Sequence, residues 1–248
     1  MEISRRISIS GLSKTEKYSF IASLENNLRK TGLRLDKNPV KSTITLLSQH
    51  DFDETLSKND INIIKKIKNP TVIMRLISNK SVLTLLTDEE LEAYCSNQNS
   101  DIRAVCADSD AIVKRVSYET LINFANDKDE DVVCAIAGNK IAIERLEENT
   151  ILSLLTNPSI RVRHTIARNK NIGFKLSQKT AETVASDLEE PLIRLESILN
   201  PSLSGLFSIK FIRDRLENET DVRVLGELCF ILEEKLLNIE SSKLKRER

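Results

Sequence analysis

The sequence has no tryptophan, only six glycines and five prolines, and aromatic residues make up 4% of its 248 positions. A β-sandwich or β-barrel needs a turn after each short strand, and therefore more glycine and proline than this. The scarcity of aromatic side chains also leaves few platforms on which a nucleic-acid base stacks. Because apolar residues reach 40% and charged residues 30%, the composition indicates a soluble globular protein that is mainly helical.

Long apolar runs are absent as well. No run approaches the ~20 apolar residues that cross a membrane, and the opening Met1–Arg6 lacks the apolar core of a secretion signal. We therefore expect a cytoplasmic protein with no membrane partner. The cysteines form no CxxC pair, which predicts small buried hydrophobes in a reducing compartment rather than a metal cluster. They are Cys95, Cys106, Cys134 and Cys229.

Charge is balanced overall, with 37 basic and 37 acidic residues, but it is unevenly distributed. Residues 1–70 carry a net charge of +5, residues 71–240 carry −8, and residues 241–248 carry +3. This pattern describes an acidic body between basic ends. A general nucleic-acid binder more often shows a basic stripe over its whole domain.

A 30-residue repeat runs through the body of the chain. Its first sign is an apolar residue at Leu56, Leu86, Val116, Leu146 and Leu176. Each is followed by the expected N-cap of a helix, at Ser57, Thr87, Ser117, Glu147 and Ser177. Ser and Thr accept a hydrogen bond from the first turn, so four of these starts are well capped, and the start at Glu147 is the weakest.

A second helix follows in each period. Its predicted starts are Asn69-Pro70, Asn99, Asp129 and Asn157-Pro158. Its predicted ends are Asn79-Lys80, Asp108-Ser109, Asn139-Lys140 and Asn169-Lys170. Asn tolerates the left-handed conformation that closes a helix, so these positions are expected to be left-handed. Each period is therefore predicted to be helix, short turn, helix and brief linker.

This repeat predicts the fold class. A single helical pair cannot bury its apolar face, whereas stacked pairs can. We expect a mainly α protein, a right-handed α-solenoid of about six two-helix repeats over residues 51–240, with a basic tail at 241–248. Residues 187–205 are less regular and belong to an atypical final repeat that acts as a cap. A compact helical bundle is the alternative, but a bundle has no reason to repeat its caps at a fixed spacing.

The second-helix segments resemble a known family. Residues 101–108 (DIRAVCAD) and 160–169 (IRVRHTIARN) are similar to HEAT-type repeats, and more so to the shorter leucine-rich-repeat-variant subtype found in bacteria. The resemblance covers residues 55–235 and implies a fold far more than a function. In that family an iron–sulfur cluster can be held by cysteines before the repeats. No such cysteines precede these, so no cofactor is expected.

The first 50 residues break the period and are expected to form a small α/β cap. Residues 7–10 alternate like a strand, and residues 14–31 form the pattern of a helix that ends at Gly32. The segment Ile9-Ser10-Gly11-Leu12 has a faint resemblance to a BRCT domain, whose phosphate pocket uses Ser-Gly at this place. The tryptophan typical of that family is missing, and a cap that shields one end of the solenoid is the alternative interpretation.

Basic residues are the candidate partner-binding side chains. Arginines recur near the second helices, at Arg75, Arg103, Arg161, Arg163, Arg194 and Arg223. In HEAT-like stacks the second helix lines the concave binding face, so these arginines would suit an acidic protein or a phosphate backbone. The alternative is an internal ladder in which each arginine pairs with an acid of a neighbouring linker, such as Asp101, Asp131 or Asp221.

Three lysines follow the helix-closing asparagines and are expected along one edge. They are Lys80, Lys140 and Lys170. They too are candidate partner contacts, although a lysine near a helix C-terminus is also favoured by the helix dipole alone.

No catalytic motif is visible: the sequence contains no P-loop, GxGxxG or HExxH. The only histidines are His50 and His164, and neither stands in a nucleophile–base pattern. We predict a non-enzymatic binding, scaffold or inhibitor protein with a protein partner, no cofactor, no metal and no small-molecule substrate. One alternative is a nucleic-acid binder related in fold to HEAT-like DNA glycosylases. Another is that the N-terminal cap is the working part.

Overall fold

The structure is a computed structural model that describes residues 58–186 and 190–246, together with four isolated positions, 19, 21, 22 and 26. The chain divides into two compact units, Met1–Ser117 and Tyr118–Arg248. Every element within the described ranges is a helix, so the prediction of a mainly α protein is confirmed. The four isolated positions are helical too, in agreement with the helix predicted over residues 14–31.

The described part of the first unit contains six helices. They are α1 (Lys58–Ile64), α2 (Pro70–Ser78), α3 (Lys80–Leu85), α4 (Asp88–Cys95), α5 (Ser100–Asp108) and α6 (Asp110–Val113). In this unit α2 packs against α5, α4 packs against α5, and the short α3 packs against the short α6.

The described part of the second unit continues the same order. It contains α7 (Tyr118–Ala125), α8 (Glu130–Gly138), α9 (Lys140–Arg145), α10 (Glu148–Leu155), α11 (Ile160–Arg168), a 3-10 helix (Ile172–Lys175), α12 (Gln178–Val184), α13 (Pro191–Leu199), α14 (Pro201–Ser204), α15 (Ile209–Asn218) and α16 (Val222–Arg246). Here α8 packs against α11, α11 against α13, and α13 against α16, so successive second helices are neighbours.

Each complete period contains three helices, not the two that the sequence predicted. The first helices are α1, α4, α7, α10, α12 and α15, and the second helices are α2, α5, α8, α11, α13 and α16. The expected linker is itself a third helix of four to six residues in α3, α6, α9 and α14, and a 3-10 turn at Ile172–Lys175. Helices this short show no periodicity of their own, which explains the error.

The asparagines that end the second helices are extended, not left-handed. Asn79 has φ −86° and ψ 117°, and Asn139 has φ −77° and ψ 116°. Each ends one helix and caps the next, because its Oδ1 accepts from two backbone N–H groups of the third helix. The prediction of a left-handed closure was therefore wrong: the same asparagine serves as an N-cap.

Most of the predicted helix starts are confirmed. Thr87 forms a complete capping box with Glu90, Ser177 caps α12, and Glu147 stands at its N-cap position without a side-chain cap bond. The predicted start at Asn157-Pro158 lies two residues early. The N-cap is Ser159, and the Asn157 side chain instead accepts from the Ser159 N–H.

Carboxylates join one period to the next inside each unit. In the second unit, Glu148 accepts from the Ser177 N–H at 2.9 Å and Glu182 accepts from the Ser208 N–H at 2.8 Å. Each of these N–H groups belongs to the N-cap of the following first helix, where a negative charge is favourable. Hydrogen bonds from the Ser177 backbone and the Thr180 hydroxyl lower the pKa of Glu148.

The core of each unit is formed by repeated positions of the second helices. In α2, α5, α8, α11 and α13 their third, seventh and eighth residues are almost entirely buried, as in Val162, Ile166 and Ala167 of α11. Burying these apolar side chains at each interface gives roughly 25 cal/mol per Å² of apolar area. A second helix is therefore stabilised chiefly by its neighbouring second helices rather than by its own short length.

The end of the described chain is more regular than predicted. The segment over residues 187–205 contains α13 and α14, each started by a proline at its first position. The basic residues expected as a tail continue α16 as far as Arg246. The α/β cap predicted over residues 1–50 lies outside the described residues, apart from the four helical positions.

Candidate docking surface

The predicted arginines occupy three different helix positions and therefore do not form one row. Arg103, Arg163 and Arg194 are each the fourth residue of their second helix, in α5, α11 and α13. Arg161 is a second residue and Arg75 is a sixth residue. Fourth residues face the packed side of these helices, and all three arginines there are buried.

Two of the buried arginines hold the turn that precedes their own helix. Arg103 Nη1 donates to the carbonyls of Asn97 at 2.8 Å and Gln98 at 3.1 Å. Arg163 Nη1 makes the equivalent bonds with Asn157 at 2.8 Å and Pro158 at 3.2 Å. These carbonyls lie just past the C-terminus of the first helix, where backbone acceptors have no helical donor. Both arginines therefore have internal partners within their own unit.

Arg194 lies in a buried ion cluster with Glu219. Its Nε and Nη2 donate to the two carboxylate oxygens at 2.9 and 2.8 Å, and Arg215 Nη2 donates to Glu219 at 2.6 Å. Burial raises the pKa of Glu219, but bonds from Arg194, the backbone N–H groups of Asp221 and Thr220, and Arg215 outweigh it and lower the pKa to about 2. The cluster ties α13 to the segment between α15 and α16.

Three exposed arginines of the second unit lie beside acids. Arg161 Nη1 pairs with Asp131, one of the acids named for the internal ladder. Arg168 Nε lies 3.5 Å from Glu196, and Arg223 Nη2 lies 2.7 Å from Asp221. Exposed pairs of this kind add little stability, but they neutralise the charge that a polyanion would meet.

The remaining candidates are exposed. Arg75 lies on the outer side of α2, and Lys80 and Lys140 are the first residues of α3 and α9. Lys170 follows Asn169 in the same way, ahead of the 3-10 helix. The lysines thus stand at the start of third helices as well as after second helices. Their contact with a partner stays a prediction.

The described residues include one histidine, His164, and the four cysteines. His164 Nε2 lies 3.3 Å from Glu196, and no group of three His, Cys, Asp or Glu side chains in the described ranges is placed to hold a metal ion. Cys95, Cys106 and Cys134 are buried as predicted, whereas Cys229 is exposed, so the prediction was wrong for that thiol. A hydrogen bond with Cys106, together with burial, raises the pKa of Cys95 and keeps it unreactive.

The feature that sequence reasoning missed is an apolar surface on the second helices of the second unit. We define it by Ile160, Leu192, Leu199 and Phe230, whose exposed fractions are 51%, 41%, 50% and 64%. They lie on α11, α13 and α16, which pack in succession. They occupy first, second and ninth helix positions, none of which is among the buried third, seventh and eighth positions.

A comparison of equivalent positions in the sequence would have found this surface. The ninth residues of successive second helices are Ser78, Asp108, Gly138, Arg168, Leu199 and Phe230. The second residues are Thr71, Asp101, Asp131, Arg161, Leu192 and Arg223. Polar or small residues at the ninth position thus give way to large apolar ones in the last two helices. Without the register, Leu199 and Phe230 look like ordinary core residues of an amphipathic helix.

Comparison with protein-family models finds no match, and comparison with curated proteins finds none either. In the described ranges, no helix combines the length and the apolar composition that a membrane crossing needs.

Proposed function

We propose that this protein is a non-catalytic scaffold or inhibitor that docks another protein on the apolar surface of Ile160, Leu192, Leu199 and Phe230. The observation that carries the proposal is the exposure of large apolar side chains on three consecutive packed helices, with Leu199 and Phe230 at the same ninth position. Single exposed apolar residues are common, but a contiguous group marks an interaction surface.

The proposal includes an α-solenoid of HEAT-like repeats as the scaffold. It is supported by the spacing of the first helices, which begin 30 or 31 residues apart, at residues 58, 88, 118, 148, 178 and 209. It is also supported by the packing of second helix on second helix within each unit. The α/β cap over residues 1–50 and a cytoplasmic location remain parts of the same proposal, the latter because three thiols serve as buried core residues.

A protein partner fits this surface better than a nucleic acid does. The arginines around the apolar side chains are paired with carboxylates, as described for Arg161, Arg168 and Arg223. At the first and second positions of α8 the side chains are Glu130 and Asp131, both acidic and exposed. Phosphate groups would be repelled there, whereas an apolar strip on a partner helix or loop would bury the exposed leucines and Phe230.

The test uses two phenylalanines of the same unit. Phe230→Glu, combined with Leu199→Glu, places charge in the apolar surface. Phe174→Glu is the matched control, because Phe174 is 87% exposed but lies on the 3-10 helix, outside the surface. Wild type and both variants are used to purify partners from the host, with nuclease present, and each captured protein is then re-bound from purified components.

We expect a stoichiometric complex with one purified protein that persists in high salt, survives Phe174→Glu and is lost in the double variant. Apolar contacts predict that persistence, since salt weakens ion pairs and not hydrophobic burial. Binding that falls steeply with salt, or that depends on nucleic acid, would support the nucleic-acid alternative instead. Binding that survives the double variant would show that the partner does not dock on this surface.

A further inference from the structure

The helix α16 has an exposed glycine inside it. Gly226 is the fifth residue of this 25-residue helix, beyond its first turn. The other second helices all carry a side chain at their fifth position, and these residues are Met74, Ala104, Cys134, His164 and Leu195. The surface of α16 is therefore bare backbone at a position where each of the other second helices presents a side chain.

No contact among the described residues requires glycine at this position. Gly226 has helical backbone, so the left-handed conformation that favours glycine is not used. A Cβ atom added to it would meet no described atom within 4 Å outside its own helix backbone. Gly173 of the same unit is the contrast, because a Cβ atom there would overlap the Ser202 carbonyl oxygen. Glycine weakens a helix interior relative to alanine, and at Gly226 no neighbouring atom of the chain explains it.

The side chains around Gly226 are exposed and mostly apolar. Residues three and four positions away lie next to it on the helix surface, and they are Val222, Arg223, Cys229 and Phe230. Val222 is exposed by 78% and Phe230 by 64%, and the other two are exposed as well. We call the bare backbone of Gly226 and the four side chains around it the Gly226 recess.

The one charged member of the recess is already paired. Arg223 donates to Asp221 from its Nε at 3.1 Å and from its Nη2 at 2.7 Å. The other three members offer carbon and sulfur atoms, which favour contact with a large apolar side chain. A charged or strongly polar side chain would lose its water here without gaining a partner. The recess therefore fits an apolar side chain.

We propose that the protein partner of the docking surface inserts one large apolar side chain into the Gly226 recess, against the backbone of α16. This proposal rests on the proposed function and deepens it, because Phe230 belongs both to the docking surface and to the recess. Insertion of one side chain into a gap between four side chains of a facing helix is a common mode of helix recognition. The missing Cβ atom lets the inserted side chain reach the backbone, which accounts for the glycine.

The first test fills the recess. Gly226→Ala adds one methyl group, and Gly226→Leu adds a side chain that occupies the recess. Both replace glycine by a good helix former, so Tm should rise in thermal unfolding, by about 2–4 °C for Gly226→Ala. Affinity for the purified partner, measured by calorimetry, should fall at least about tenfold in Gly226→Ala, because the inserted side chain meets occupied space. In Gly226→Leu no binding should be detected.

Asn238→Ala is the matched control for these variants. Asn238 is exposed on the same helix, about 18 Å beyond Gly226, and alanine improves the helix propensity there too. This variant should raise Tm and leave the affinity unchanged. The comparison separates the filling of the recess from a general effect on the stability of α16.

The second test uses the thiol of the recess. Cys229 is exposed, whereas Cys95, Cys106 and Cys134 are buried, so N-ethylmaleimide should label Cys229 selectively in the free protein. Saturating partner should slow this labelling at least about tenfold, because only the free fraction of the protein reacts. Protein that is labelled beforehand should not bind the partner.

The outcomes distinguish this proposal from the proposed function. Suppose that Leu199→Glu with Phe230→Glu abolishes binding, but Gly226→Leu binds normally or the partner leaves the labelling of Cys229 unchanged. The recess would then be overturned and the docking surface would stand. A Gly226→Ala protein that does not fold would also overturn it, since the chain itself would then require the glycine. Binding that survives the double variant, or the absence of any docked partner, would overturn both proposals.

Discussion

The arginines of the second helices are either buried or exposed, and helix position decides which. At the fourth position, Arg103 and Arg163 are buried and hold the carbonyls of the preceding turn. At the second position, Arg161 is exposed and pairs with Asp131. The guanidinium group suits both places, because it presents several donors in a fixed plane. A count of arginines therefore does not reveal a binding face until the register is known.

We predict that Arg163→Ala destabilises the fold by about 1–3 kcal/mol, because two turn carbonyls lose their donor in a buried place. Arg161→Ala, two residues away on the same helix, removes an exposed ion pair and should cost about 1 kcal/mol or less. Urea unfolding of the two variants beside wild type measures both values. A larger loss in Arg161→Ala than in Arg163→Ala would show that the internal role is misassigned.

The Glu219 cluster predicts a loss of stability in acid. The pKa of Glu219 is about 2 in the folded protein and 4.5 as its ordinary value, so the folded state favours the ionised form. Its contribution is fully present above pH 4.5 and is lost as the pH falls towards 2. The urea midpoint should therefore decrease over this range in wild type.

Glu219→Gln is the comparison variant for this loss of stability in acid. At neutral pH it should cost about 3–5 kcal/mol, because it leaves the buried Arg194 without its charge partner. Below pH 4.5 the difference in unfolding free energy between variant and wild type should become smaller. A difference in unfolding free energy that stays constant from pH 7 to pH 2 would contradict the assignment of the lowered pKa to Glu219.

At the scale of the helix, asparagine at the end of the second helix performs two functions at once. The Oδ1 of Asn200 accepts from the Ser202 N–H at 3.1 Å and so caps α14. Its Nδ2 donates to Ala167 and Asn169 carbonyls at 2.8 and 3.0 Å, one period earlier. Asn169 Nδ2 binds the Ala137 and Gly138 carbonyls in the same way. One side chain thus starts a helix and joins two periods.

Asn200→Asp separates these two functions, since aspartate keeps the capping oxygen and loses the donor. We predict a loss of about 1–3 kcal/mol, because two carbonyls are left unsatisfied and a charge is buried beside them. Asn69→Asp is the matched control: Asn69 caps α2 through its Oδ1 alone among the bonds described, so its replacement should be nearly neutral. Thermal unfolding compares the two. Equal losses of stability in the two variants would mean that the Nδ2 bonds of Asn200 to the preceding period contribute nothing beyond the cap.

Helix starts were predictable from the sequence because they rest on local chemistry. The predicted caps are present at Thr87, Ser177 and Asn99. A short polar side chain before an apolar helical pattern is typical of an N-cap. The third helices were not predictable. Where their capping residue is an asparagine, as at Asn79, that residue type is typical both of an N-cap and of a left-handed helix end. Only the packing of one period on another selects the extended form.

At the scale of the whole molecule, the sequence shows the period directly, whereas it shows the proposed docking surface only once the register of the second helices is known. The spacing of caps depends on contacts within a few residues, so one sequence displays it. The surface of Leu199 and Phe230 depends on which side of each helix its neighbours cover, and the sequence shows only an apolar residue. The buried arginines were misleading for the same reason, because burial is set by neighbouring helices.

In the proposed solenoid the periods are interchangeable modules, each held within its unit by the next. Deleting residues 147–176 removes one period of the second unit and joins Leu146 directly to Ser177, which is already a helix N-cap. The second helix α13 would then follow α8, and both present the same buried positions. A deletion of residues 147–168 is the control, because it removes 22 residues and breaks the period.

Circular dichroism during urea unfolding of the two deletions tests the repeat architecture most directly. If the periods are modules, the 30-residue deletion retains the helical signal per residue and unfolds cooperatively, while the 22-residue deletion does not. Loss of cooperative unfolding in both deletions would show that the helices form one bundle without interchangeable periods. That result would contradict the repeat architecture on which the proposed docking function depends.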